Sequence, residues 1–544
     1  MRTDPNVADS YRSQGFWGTE TVGSMVRRWA KEKPDAVAFY TSVERNLHTF
    51  TWSDYDRAAD RIAEVVLATG IPSRSRVAVM MPDGPGVHAV YVGLERAGMV
   101  CVGIGARAGD REIAHLLTLT GAETLITTDQ QYGRQSEEIR NAVTELGAKL
   151  TRHILVSSTG EIIDAGAEAA TVPTAAQPID PDELFLLNST SGTTGLPKCV
   201  MHTQNRWFYF HKLAAAAGNF GADEIFFGAL PAPFGFGLWT AHFTPAILGA
   251  PTVVMDRFDA EIALELLEQL RVTVLCCVST QFIMLLNANK NENHDLSSLR
   301  SMFTGGEAVP YERAAEFEQT TGAMVLQFYG SNETGALSHT SWTTDRETRL
   351  RTAGEIIPEM NVRLYDPETL QQLPADATEG QPACLGPAIA LGYWGDEQAN
   401  QKLFTSDGWM LMGDIVRLHD GPNGERLLSV VGRTSDFIIR GGKNISAAAV
   451  EAEVSTHPDV AMVAAVPWPD PVFGERVCLY VEPIGDNDVT LESIVEHLRA
   501  RSVSREWFPE KLIVLPQLPR SSGSKVAKGE LRADAARRAA AENA

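Results

Sequence analysis

Apolar positions in the first two thirds of the chain follow two alternating periods. Val77-Ala-Val-Met-Met81 is a short, wholly apolar run of strand length, and Val87 to Ala97 behind it repeats its apolar residues at helical spacing. Leu125-Ile-Thr-Thr, Arg152-His-Ile-Leu-Val-Ser, Ile225-Phe-Phe-Gly-Ala-Leu and Pro251-Thr-Val-Val-Met continue the strand theme. Such alternation favours parallel sheets under helices, so the body from about Ser24 onward is expected to be layered α/β. After Asp366 the residues Pro367, Pro374, Gly380, Pro382, Gly386 and Pro387 break the periodicity, and short β-like segments follow. From about Ser435 a further unit reads strand Phe437-Ile-Ile, helix Ala447 to His457, strands Val460 to Val466 and Val477 to Glu482, helix Leu491 to Arg501 and strand Lys511 to Leu515. A last helix is expected over Leu531 to Ala544. The pattern predicts a large N-terminal α/β domain over residues 1–434 and a small α+β C-terminal domain over 435–544.

Length and charge narrow the function. The 544 residues suffice for several domain-sized units and a large core. With 47 Lys+Arg against 69 Asp+Glu the formal charge is −22, which repels phosphate backbones and anionic lipid, so nucleic-acid and membrane-surface roles are disfavoured. Cys101, Cys199, Cys276, Cys277, Cys384 and Cys478 form no C-x-x-C pair and no zinc-like spacing, and read as reduced, mostly buried thiols. The start shows no secretory pattern and no stretch reaches the ~20 apolar residues of a membrane helix, so a cytoplasmic protein without a transmembrane segment is expected.

The most informative segment is Leu186-Leu-Asn-Ser-Thr-Ser-Gly-Thr-Thr-Gly-Leu-Pro-Lys-Cys-Val-Met-His202. An apolar strand runs into Thr190, Ser191, Gly192, Thr193, Thr194 and Gly195, with Lys198 just beyond. Glycines let backbone N–H groups approach an anion, hydroxyls add donors and the lysine adds charge, which suits polyphosphate. The spacing is not that of a Walker A loop.

Four later segments stand in order behind it: Gln327-Phe-Tyr-Gly-Ser-Asn-Glu-Thr-Gly335, Gly408-Trp-Met-Leu-Met-Gly-Asp414, Val431-Gly-Arg-Thr-Ser-Asp-Phe-Ile-Ile-Arg-Gly-Gly442 and Leu518-Pro-Arg-Ser-Ser-Gly-Ser-Lys525. With the loop, they make the chain resemble the adenylate-forming superfamily of acyl-CoA synthetases, firefly-type luciferases and peptide-synthetase adenylation domains. The resemblance covers nearly the whole chain and implies that family's fold of two hinged domains.

It also implies roles. Glu333 and Thr190 would be the protein ligands of the Mg²⁺ that ATP requires, a cation satisfied by one or two protein oxygens. Asn332 stands where the family has a threonine on the α-phosphate; its amide can still donate. Gly305, Gly306 and Glu307, together with Tyr329 and Gly330, resemble the adenine-side wall. Asp414 would accept the ribose hydroxyls, Arg433 would lie on the ribose-phosphate side and Asp436 would be the hinge. Lys525 would be the adenylation lysine, neutralising charge as the acyl oxygen attacks phosphorus. Here Ser524 replaces the family's glycine before it, and Lys528 is a rival.

The implied reaction has two steps. The carboxylate attacks the α-phosphate of ATP and expels pyrophosphate; a thiol then displaces AMP from the acyl-adenylate, and no side-chain nucleophile is needed. In the family the small domain turns between these steps and brings up the glycine loop, here Gly441 and Gly442, with Arg440 and Lys443 beside it to meet CoA phosphates. ATP, Mg²⁺ and CoA are therefore expected, with a homodimer left open. Leu230-Pro-Ala-Pro-Phe-Gly-Phe-Gly-Leu238 lacks the aspartate that would hold an amino acid's amine. Phe234 takes the pocket-gating place with Phe236 and Gly305 beside it, and Trp239 is either pocket or core. An apolar pocket of this kind suits a hydrophobic acid. The resemblance runs nearest to ligases of steroid side-chain or other bulky alicyclic acids, with a medium- or long-chain fatty acid, an aryl acid, carrier-protein loading and luciferase-like oxidation as alternatives.

Overall fold

The computed structural model describes every residue except Met1, Glu44, 167–173, 191–195, Ala308, Asn423, 434–435, 441–442, Asp486, 521–524 and 543–544, and the side chains of Asn291, Glu292 and Asn444. Among the described residues the strands form sheets of 14, seven and five strands and a two-stranded ribbon.

The apolar runs become buried parallel strands. Arg76–Met80 lies between Val100–Gly103 and Thr124–Thr127, in the sheet that also holds Leu184–Ser189 and Cys199–Thr203. Its helix, Pro85–Ala97, is buried almost all round and begins on a proline, whose missing N–H goes unused in a first turn. In the largest sheet Phe226–Gly228, Thr252–Val254, Val274–Cys276, Ser301–Gly305 and Met324–Ser331 run parallel to one another. The chain after Asp366 joins this same sheet. Glu379–Cys384, Asp414–Asp420 and Arg426–Arg433 form an antiparallel wing linked through Glu355–Ile356 and Gly335–His339.

This sheet ends at Arg433, and the five-stranded sheet begins at Phe437–Arg440. Several elements of the last unit depart from expectation. Val460–Asp470 and Gly474–Pro483 are longer than their apolar stretches because they pair with each other to the tip of a hairpin. Lys443–Ser446 is an extra strand, and the helix from Ala447 stops at Val454. The last helix is Lys528–Glu542, starting earlier than Leu531, so Lys528 lies within it. All six cysteines are free and buried. Among the described residues no helix is long and apolar enough to cross a membrane.

Candidate active site

The phosphate side is built on the buried strand Leu184–Ser189. The N–H of Thr190 donates to Lys198 O at 2.9 Å and closes the base of the hydroxyl-rich loop. Ser191, Gly192, Thr193, Thr194 and Gly195 lie outside the described residues. Beyond the loop, Cys199–Thr203 gains a partner that the sequence did not announce: Met201 N donates to Gly392 O at 2.9 Å, Leu391 N to Met201 O at 3.0 Å and Trp394 N to Cys199 O at 2.8 Å. This pairing holds Tyr393 beside Lys198. The Lys198 ammonium stands over the Tyr393 ring, and the Tyr393 hydroxyl donates to Glu333 Oε1 at 2.7 Å.

Glu333 and Asn332 occupy the turn after Met324–Ser331, where Ser331 Oγ accepts from the N–H groups of Glu333 and Thr334. Arg206 fastens the turn. Its guanidinium is buried and donates to Asn332 O at 3.0 Å, Glu333 O at 3.1 Å and Ala388 O at 2.7 Å, with His202 Nδ1 as a further contact. Burial disfavours its charge, and the Glu333 carboxylate works against that. Burial, reinforced by Arg206, holds His202 well below its usual pKa, so its imidazole is neutral. Neither Arg206 nor Tyr393 was singled out from the sequence. The available signal was a lone arginine in Gln204–Gly218, a helix whose first turns are buried all round.

On the nucleoside side Gly305 ends the strand Ser301–Gly305, opposite Phe328, and Gly330 pairs with Ala336 in the hairpin behind Glu333. Gly306 has φ +81°, a left-handed conformation that suits glycine. Glu307 Oε1 accepts from Thr280 N at 2.9 Å and so satisfies a free donor in the first turn of Ser279–Glu292. The buried Tyr329 donates its hydroxyl to Asp414 Oδ2 at 2.9 Å, and Arg433 Nε stands 3.4 Å from the other oxygen. Burial raises the Asp414 pKa, opposed by Arg433 and by the tyrosine's hydrogen bond.

The C-terminal unit completes the cluster. Lys525 Nζ donates to Gly306 O at 2.6 Å. Burial lowers its pKa, Glu307 and Asp414 oppose that shift and Arg433 adds to it, which places the ammonium among the nucleoside-side charges. Arg501 also meets Glu312 across the two units at 3.7 Å. Lys528 is elsewhere: its ammonium is 2.7 Å from Glu451 and 4.0 Å from Asp436, so the rival lysine is an anchor of its own unit. Asp436 is tied to the last helix through Arg532 at 2.5 Å. Arg440 pairs with Glu510 at 2.6 Å and Lys443 with Glu506, so both cations are matched by carboxylates here. Gly441 and Gly442 lie outside the described residues.

The aromatic segment is divided between surface and core. Phe234 and Phe236 are half-buried, whereas Trp239 is 1% exposed, which settles it as core. Its ring centroid is 4.4 Å from Phe210, 5.0 Å from Phe303 and 5.9 Å from Phe328. Phe236 lies over this floor, 5.6 Å from Trp239 and parallel to Phe303. Edge and tilted contacts at these separations add to the burial of the rings.

The pattern of the AMP-binding enzyme family matches residues 26–394, and that of the AMP-binding enzyme C-terminal domain matches 449–525. The chain is 29% identical over 541 residues to a medium-chain fatty-acid–CoA ligase of Escherichia coli (strain K12), covering 97% of this chain and 93% of the other. It is 29% identical over 555 residues to a 2-hydroxy-7-methoxy-5-methyl-1-naphthoate–CoA ligase of Streptomyces carzinostaticus, covering 98% and 96%. Among solved structures, the anthranilate CoA ligase AuaEII in complex with anthranoyl-AMP shares the fold, with a TM-score of 0.82 at 20% identity over 96% of this chain and 98% of that one.

Proposed function

The chain belongs to the AMP-binding enzyme family, and from that membership we propose that it is an AMP-forming acid–thiol ligase, joining an aryl carboxylic acid to CoA at the expense of ATP. One oxygen of the carboxylate forms a bond to the α-phosphorus and pyrophosphate leaves. The CoA thiol, losing its proton, then bonds to the acyl carbon, and AMP leaves with the oxygen that joined it.

The observation that carries this reading is the hydrogen bond from Lys525 to Gly306 O at 2.6 Å, which brings an ammonium from the C-terminal unit to the Tyr329–Asp414 pair. In this reading the Asp414 carboxylate accepts ribose hydroxyls, and Lys525 offsets negative charge at the phosphorus under attack. Glu333 and Thr190 would hold Mg²⁺, which supplies charge neutralisation to the triphosphate when bound. The residues fit: Glu333 gives one oxygen to Tyr393 and has no described protein group on the other, which is what a cation otherwise filled by phosphate and water needs. Asp436, bound to the last helix, would move with the small unit as its hinge. Arg440 and Lys443 would reach CoA phosphates only after leaving Glu510 and Glu506.

An aryl acid is preferred to the steroid side-chain acid because the floor under Phe236 is already filled by Trp239, Phe303 and Phe328, leaving the half-buried Phe234 and Phe236 to face a flat ring. The relative that acts on a hydroxynaphthoate supports the same class, while the fatty-acid ligase keeps an alkyl acid as the competitor. Pyrophosphate release is to be measured with benzoate, octanoate and a steroid side-chain acid, with and without CoA. Highest kcat/KM on the aryl acid, with thioester formed only when CoA is present, is expected. Octanoate or the steroid acid winning overturns the substrate class, and no adenylate from any acid overturns the ligase reading.

A further inference from the structure

Leu238–Phe243 is a π-helical turn set between the helical stretches Gly235–Gly237 and Thr244–Leu248, and all six of its residues are buried. Such inserts are rare and frequently stand at functional sites. Trp239 and His242 are three residues apart, so an α-turn would set them on one face. The wider turn sends Trp239 to Phe303 and Phe328, and His242 to His88 and Tyr91. The turn is also tied to the aromatic segment before it: Thr240 Oγ1 donates to Phe236 O at 2.8 Å, and Leu238 N to Phe234 O at 2.8 Å. Where His242 is held therefore bears on where Phe234 and Phe236 stand.

His242 ends a buried polar chain. Its Nδ1 lies 3.1 Å from His88 Nδ1, with the ring planes 18° apart, and 3.2 Å from the Tyr55 hydroxyl. His88 Nε2 lies 3.0 Å from Asp83 Oδ1, and Tyr55 donates its hydroxyl to His88 O at 3.4 Å. Tyr55 is 1% exposed, Asp83 3%, His88 0% and His242 3%, so water does not compete for these contacts. The Asp83 carboxylate favours a proton on His88 Nε2, which leaves Nδ1 of the neutral ring to accept from His242 Nδ1–H. Burial, reinforced by His88, keeps the His242 pKa well below the usual imidazole range, so this ring joins the chain neutral. Phe39 packs parallel to His88 at 5.1 Å and holds the acceptor in place. The chain thus braces the turn from Asp83 and from two helices, Trp52–Ala68 and Pro85–Ala97.

We propose that His242 is a positioning residue for the carboxylic acid: its bond to His88, backed by Asp83, fixes the π-turn and with it Phe234 and Phe236 in the acid's pocket. This rests on the ligase reading above. The test measures KM for the acid and for ATP in pyrophosphate release, with whichever of benzoate, octanoate and a steroid side-chain acid the wild type turns over fastest. His242→Phe keeps a ring and loses the nitrogen; His242→Asn loses the ring and keeps an amide atom as many bonds from Cα as Nδ1. A space-filling role would make the phenylalanine variant mild and the asparagine variant severe. The bond predicts the reverse. KM for the acid should rise by about tenfold or more in His242→Phe, equivalent to about 1.4 kcal/mol, and stay within about threefold of wild type in His242→Asn, with KM for ATP within about threefold in both. His88→Gln keeps an amide for Asp83 and puts nothing in place of Nδ1, so it should raise the acid KM as His242→Phe does; it decides if His242→Phe does not fold. An unmoved acid KM, a KM for ATP that rises in step with it, or His242→Asn faring worse than His242→Phe in fold or in KM overturns the inference. Loss of fold in both His242→Phe and His88→Gln makes the chain a stability element and overturns it too. Each of these outcomes leaves the ligase reading standing, whereas absence of adenylate from every acid in the wild type defeats that reading and this inference with it.

Discussion

Lys198 and Tyr393 are joined face to charge: the ammonium lies 4.7 Å from the ring centroid, while the hydroxyl of the same ring holds Glu333 at 2.7 Å. The aromatic side chain thus links the residue after the hydroxyl-rich loop to the carboxylate assigned to Mg²⁺. Ring and hydroxyl can be separated by mutation.

Tyr393→Phe keeps the platform under Lys198 and removes only the bond to Glu333. Loss of one hydrogen bond to a charged group, about 1.5–3 kcal/mol, should lower the rate of adenylate formation by roughly tenfold or more. Half-saturation should move to higher Mg²⁺. Tyr393→Ala should be worse, since the cation–π contact goes too. A Mg²⁺ titration of pyrophosphate release checks both, and equal rates in Tyr393→Phe and wild type would dismiss the link.

The two lysines of the C-terminal unit should separate by the kind of damage they cause. Lys525→Ala should depress adenylate formation by about 10²-fold or more, yet leave thioester formation from supplied acyl-adenylate largely intact. Lys528→Ala should instead leave the partly buried Glu451 carboxylate without its cation and lower stability by about 1–3 kcal/mol, read as a fall in Tm.

Lys525 acts while protonated, and its surroundings hold its pKa below the ordinary 10.5, burial being the largest cause. Adenylation should therefore fail as pH rises through a value lower than a free lysine would give. A pH profile of the first half-reaction measures this limb. In Lys525→Arg any remaining activity should lack it, because guanidinium does not deprotonate in that range.

Acid should weaken the fold before it weakens carboxylate pairs. Burial holds His153 and His211 at about 4 and keeps His202 and His242 well below the usual imidazole range. Below about 6.5 the unfolded chain takes protons that these folded imidazoles refuse, so stability falls with falling pH, by up to ~1.4 kcal/mol per pH unit for each. For His153 and His211 the window closes near 4. Calorimetry between pH 7 and 5 should show a falling Tm, and His211→Leu should make the slope shallower.

Much of the site was legible because its residues stand in short ordered segments. Tyr329, Asp414 and Arg433, read from separate segments, lie together, and Lys525 of the C-terminal unit bonds Gly306 beside them. What escaped reading depends on pairing between distant stretches. Tyr393 sits in Leu391-Gly-Tyr-Trp394, which looks like a turn until it docks on Cys199–Thr203. Arg206 looks like any helix cation until three backbone oxygens surround it. Trp239 shows the converse, since pocket and core have the same composition and only burial tells them apart. Element ends were missed where hairpin partners carry strands past their apolar stretch, as at Asp470.

The acceptor that greets Lys525 is uncharged. Had the ammonium settled on the Glu307 carboxylate, pulling it away would mean parting two opposite charges; a peptide oxygen holds it through one charge-assisted hydrogen bond, about 1.5–3 kcal/mol. Under the proposed ligase reading, the charge of the bound nucleotide then decides how long the lysine stays, so departure of pyrophosphate would itself loosen the clasp.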